Sequence, residues 1–139
     1  LIATMRHLLS ELGDEIQQRL SAAETPQDRI RAIVEGNFSA CQFRPSVISA
    51  WLAFYVEAQT DEEARRLLRI YQRRLESNLL HALQDLVSRD RAVDIAEMAA
   101  SLIDGVWIRR SLAGETPNPS SAAQLVETAI FSAVSRRDA

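Results

Sequence analysis

The sequence predicts an all-α domain of six helices, and three observations carry that prediction. Apolar residues recur at intervals of three and four along most of the chain, which puts them on one stripe of a helix. No stretch alternates with period two, so no strand is expected. Proline and polar capping residues fall where the periodic stretches begin or end. The chain has 139 residues, enough for one domain with a proper core and too few for two ordinary ones.

Each element follows from its own residues. Leu1, Met5, Leu8, Leu9, Leu12, Ile16 and Leu20 place the first helix over about residues 1–22. It starts in mid-pattern without a cap, which points to a preceding segment. Thr25-Pro26 supplies an N-cap and a first-turn proline for a second helix carrying Ile30, Ile33, Val34, Asn37, Phe38 and Cys41. Arg44-Pro45 breaks that helix, because the residue before proline is pushed out of the α region. The third helix, about 45–58, is apolar nearly all round and should therefore be central.

Thr60 with Glu63 reads as a capping box for a long fourth helix to about residue 88. Its stripe is Ala64, Leu68, Tyr71, Leu75, Leu79, Ala82 and Leu86. Asp90 is placed to cap a fifth helix that ends near Gly114. After the turn Thr116-Pro117-Asn118-Pro119, a last helix shows Ala122, Leu125, Val126, Ala129, Ile130, Ala133 and Val134 on one side.

Composition excludes several classes of function. A net charge of −3 gives no overall pull toward nucleic acid or an anionic membrane. One cysteine, Cys41, allows no internal disulfide and fits a reducing, cytoplasmic setting. No apolar run approaches the roughly 20 residues that span a bilayer. All sixteen basic residues are Arg, which reads as codon usage in a GC-rich genome. Metal, phosphate-loop and nucleophile-elbow motifs are missing, and His7 and His81 stand alone. No enzyme, cofactor or metal centre is therefore expected. The run Arg65, Arg66, Arg69, Arg73, Arg74 carries Glu62, Glu63 and Glu76 at pairing distance along a helix, so it reads as a solvated face.

The aromatic residues are unevenly placed. Five of eight lie between Phe38 and Tyr55, and Trp107 sits in the fifth helix. Trp51, Phe54, Tyr55 and Ala58 share a helix face, while Asp104 and Trp107 lie one turn apart inside an apolar run. A carboxylate there is costly unless something satisfies it. Gly105 beside it weakens the helix, which points to close approach by a neighbour or ligand. Asn37 is a further polar residue on an apolar stripe. Two readings stand at this point. The aromatics are simply core, or they form a cage with one anion, which is what a quaternary ammonium needs because it has no N–H to donate.

Four stretches resemble a known family: Ala32-Ile33-Val34-Glu35-Gly36-Asn37-Phe38, Ala50-Trp51-Leu52-Ala53-Phe54, Arg73-Arg74-Leu75-Glu76-Ser77-Asn78-Leu79 and Leu102-Ile103-Asp104-Gly105-Val106-Trp107. They look like the C-terminal, ligand-sensing and dimerisation region of the TetR family, close to its BetI branch, and the resemblance covers essentially the whole chain. Ser39–Ser49 and the tail beyond Gly114 are less similar. The resemblance implies a homodimeric repressor of genes that take up choline and oxidise it to glycine betaine, with choline as inducer. Operator DNA would be bound by an N-terminal helix-turn-helix domain that this chain does not include.

On that basis the trimethylammonium is expected among Trp51, Phe54, Tyr55 and Trp107. Asp104 or Glu57 would be its counter-charge, and Asn37 would face its hydroxyl. The last two helices, with Ala99, Ala100, Ala129 and Ala133, would form a four-helix dimer interface. Two alternatives remain at this level: a sensor of the same fold for another apolar compound, and a helical interaction module without a ligand.

Overall fold

The computed structural model describes residues 1–136 of the 139. Six α-helices make up the fold: α1 (Ile2–Ala22), α2 (Pro26–Asn37), α3 (Pro45–Glu57), α4 (Glu62–Leu83), α5 (Arg89–Ser111) and α6 (Pro119–Ser135). A short 3-10 turn, Ala40–Phe43, joins α2 to α3. No strand occurs among the described residues. None of the described helices is long and apolar enough to cross a membrane.

α2 is the helix around which the others gather. It packs on α1, α4 and α6 and buries Ile30, Ile33 and Val34 completely. Thr25 caps it by accepting from the Asp28 amide at 3.0 Å. α4 and α5 form an antiparallel pair closed by a short turn, and α6 folds back along α5. Alanines on α5, among them Ala92, Ala96 and Ala99, are buried and let these backbones come close. At the far end Arg91 donates to the carbonyls of Ala133 and Arg136, at 3.0 and 2.6 Å, and so closes the last turn of α6.

Several local expectations are corrected. α2 ends at Asn37, so Phe38 and Cys41 lie outside it, and Cys41 sits half-buried in the 3-10 turn. The N-cap of α4 is Asp61, whose carboxylate accepts from the Ala64 amide at 2.8 Å, rather than Thr60. α4 also stops at Leu83 instead of 88, and the chain then turns. α5 starts at Arg89, before Asp90 could cap it, and Gly114 adopts φ +78° in the turn beyond its end. α3 is not central: it rests on α1, α4 and the 3-10 turn, and Val56 is 65% exposed. Its all-round apolar character therefore includes an outward face.

The charged face of α4 also pairs differently from its spacing. Glu63 meets Arg6 of α1 at 2.6 Å. Arg65 donates to the carbonyls of Ala58 and Gln59 at 3.3 and 2.8 Å, closing the end of α3. Neither Arg66 nor Arg73 forms the intrahelical pair expected of it.

The glycine that marks close approach is Gly36, not Gly105. A Cβ on Gly36 would lie 2.8 Å from Ile16 Cγ1, where α2 crosses α1, whereas nothing stands within 4 Å of one on Gly105. Gly36→Ala should therefore cost about 1–3 kcal/mol through overpacking. Gly105→Ala should gain roughly 0.5–1 kcal/mol from helix propensity. Urea titration of the two variants measures this, and equal effects would remove the distinction.

Candidate functional site

Trp51 is the hub of the candidate site. Its ring lies 5.1 Å from Tyr71, 5.6 Å from Tyr55, and 6.0 Å from both Phe54 and Trp107, mostly in tilted or edge-on contacts. Such offset geometries leave negative ring faces available to a cation. Trp107 is fixed from behind, because its Nε1–H donates to the Gln42 carbonyl at 3.0 Å. The 3-10 turn that places Gln42 there is thus part of the site's frame.

Trp51, Tyr55, Tyr71 and Trp107 line a cavity of about 20 Å³ together with Leu12, Ile103, Asn37, Gln42 and Asp104. That is room for one water-sized group. Asn37 is buried and donates through Nδ2 to the Ile33 carbonyl at 2.8 Å. The Tyr71 hydroxyl lies 3.4 Å from Asn37 Oδ1 and 3.3 Å from Asp104 Oδ1. One hydroxyl proton cannot serve both acceptors. When Asp104 is ionised the charge-assisted bond takes the proton, and Asn37 Oδ1 is left able to accept another donor.

The electrostatics follow from burial. Asp104 is pushed up to about 6, chiefly because burial disfavours its charged form. The Tyr71 hydrogen bond pulls the other way, and the Glu76 charge adds to the rise. Among the described residues no basic side chain counters it. Tyr71 and Tyr55 are both raised above the usual phenol range by burial and then by the Asp104 charge, so both stay neutral. The site is a neutral aromatic wall with one underpaired carboxylate.

The structure gathers Trp51, Tyr55, Asp104, Trp107 and Asn37 around one cavity. Phe54 does not line it; the ring is fully buried behind Trp51. Glu57 is exposed at the end of α3 and away from the cavity, leaving Asp104 as its carboxylate. Tyr71 and Gln42 also line it, and helix periodicity marks neither. Tyr71 falls on the α4 stripe like any core residue, and the one sequence signal for it is that a buried phenol needs a hydrogen-bond partner.

Comparison with known proteins gives this arrangement a family. Residues 26–134 match the model described as BetI-type transcriptional repressor, C-terminal. The chain belongs to the BetI-type repressors.

Other comparisons agree. The chain is 55% identical over 127 residues to the HTH-type transcriptional regulator BetI of Brucella anthropi, covering 91% of this chain and 66% of that protein. It is 53% identical over 127 residues to the protein of that name from Brucella canis, covering 91% and 64%. With that of Rhizobium meliloti it shares 54% identity over 112 residues, covering 81% and 55%. The chain thus spans somewhat less than two thirds of the length of these curated relatives. A crystal structure described as a transcriptional regulator of Pseudomonas aeruginosa PAO1 superposes with a TM-score of 0.79 at 21% identity, over 92% of this chain and 64% of that one. At that identity it speaks for the fold. In this BetI-type domain, the carboxylate and rings described above are side chains of α3, α4 and α5.

Proposed function

We propose that this domain senses choline or a closely related quaternary ammonium and passes the signal to a helix-turn-helix domain of the full-length repressor. The supporting observation is Asp104: a half-buried carboxylate with no basic partner among the described residues, facing the cavity that Trp51, Tyr55, Tyr71 and Trp107 line. A trimethylammonium supplies the missing charge without needing N–H acceptors, and ring faces take its methyl groups. The choline hydroxyl would donate to Asn37 Oδ1, which the Tyr71 proton leaves free when it goes to Asp104. Since the cavity is about 20 Å³, binding requires the rings to part, and the hydrogen bonds that hold Tyr71 there are long.

The regulatory consequence is bounded by thermodynamics. Operator affinity can change by no more than the ligand's differential affinity for the two arrangements of α1 relative to the rest. The working unit would be a cytoplasmic homodimer controlling glycine betaine synthesis genes, with α5 and α6 at the two-fold axis. Ala99 and Ala100 offer that interface little surface, because both are already buried within the protomer. Leu125 of α6, 53% exposed, and Val93 of α5, 44% exposed, are apolar candidate contacts for it.

Titration with choline and with its neutral tert-butyl isostere tests the reading, using emission of the two tryptophans and calorimetry. Saturable binding of choline, with the isostere at least tenfold weaker, is expected. Equal binding of both would make this a sensor of apolar compounds, and no binding of either would return the aromatics to the core.

A further inference from the structure

A second cavity shares a wall with the first. It is a groove of about 670 Å³ between α1 and α4, and Leu12, Asn37 and Tyr71 line both spaces. The inner space has the carboxylate and the ring faces. Leu9, Leu12, Ile16, Leu67, Ile70 and Leu75 give the groove an apolar floor, and Arg6, Asp14, Gln17, Arg74 and Asn78 line it as well.

We propose that the groove is the outer half of the ligand site and takes an aliphatic chain carried on a trimethylammonium nitrogen. The proposal rests on the cation reading above and extends it from choline to amphiphilic quaternary ammoniums. Size supports it, because the inner space is only about 20 Å³, while the groove of about 670 Å³ has the volume typical of small-molecule sites. Chemistry supports it as well: the apolar floor lies next to the wall that faces Asp104, matching an apolar tail carried on a charged head. Ile70 is 38% exposed and Leu9 and Leu67 are half-buried, so a chain lying there removes apolar surface from water. Tyr71 is the movable part of the shared wall, since rotation about its side chain breaks two long hydrogen bonds, to Asn37 and Asp104, and its edge-on contact with Trp51. Arg6 at the groove's rim is already paired with Glu63, which mutes its repulsion of an entering cation.

Calorimetry of this chain with tetramethylammonium, butyltrimethylammonium and octyltrimethylammonium, all below micellar concentration, is the test. Affinity should rise by up to about fourfold for each methylene lodged in the groove. Ile70→Asp, and separately Ser10→Trp as a plug at the groove's edge, should flatten the series and leave tetramethylammonium binding unchanged. Tetramethylammonium and octyltrimethylammonium bound equally well would overturn the groove and spare the cation site. A chain-length gain that persists in both variants would also overturn it, as adsorption elsewhere. Loss of every ammonium would overturn the cation reading and the groove with it.

Discussion

Asp104→Asn should abolish choline binding and make the ligand-free domain more stable. The substitution keeps shape and keeps an oxygen to accept from Tyr71, so only the charge is removed. Binding should fall roughly 100-fold or more, as expected when one member of a desolvated charge pair is deleted. Stability should move the other way. Folding holds the Asp104 pKa at about 6, against an ordinary 3.8 in the unfolded chain. Below 3.8 both states carry the proton and there is no penalty. Between those values the unfolded chain ionises first, so the native state binds more protons and stability falls as pH rises. Above 6 the penalty is complete, roughly 2–3 kcal/mol at 1.4 kcal/mol per pH unit.

Thermal unfolding at pH 8 should therefore show Asp104→Asn melting several degrees above the parent, with the gap closing toward pH 4. Choline affinity of the parent should in turn rise with pH through about 6, because only the ionised carboxylate pairs with the ligand. A variant that bound choline normally, or that melted lower at pH 8, would show that Asp104 is a structural residue with a satisfied charge.

Phe54→Ala is expected to have the largest effect on stability. Its ring has 0% exposure and packs edge-on against Trp51 at 6.0 Å. Truncating such a ring costs about 3–5 kcal/mol, from lost burial and from the cavity left behind. The urea midpoint should drop by that equivalent with an unchanged slope. A loss below about 1 kcal/mol would mean that the surroundings collapse onto the gap. The contrast with Asp104→Asn separates two roles that look alike in sequence: one residue holds the wall up, the other faces inward from it.

Much of this arrangement was legible from the residues. Asp104 inside an apolar run, one turn from Trp107, marked a carboxylate that needed an explanation. Asn37 on the α2 stripe did the same for a buried amide. Helix periodicity could not distinguish Phe54 from Tyr55, because adjacent positions on α3 differ by about 100° and only the neighbouring helices decide which one meets the cavity. Nor could it identify Tyr71, whose partners are 34 and 33 residues away in the chain.

The sequence by itself determined the helical class, the number of helices, the proline-led starts of α2 and α3, and the residues whose polarity was out of place. Those are local properties, set by spacing and by capping chemistry within one or two turns. Tertiary structure alone decided that α3 is peripheral, that Gly36 rather than Gly105 carries the close helix crossing, and that Ala99 and Ala100 are spent inside the protomer. It also decided that Tyr71 bridges Asn37 and Asp104. Each of these depends on which helix lies against which, a long-range choice made by packing that no short window of the chain contains.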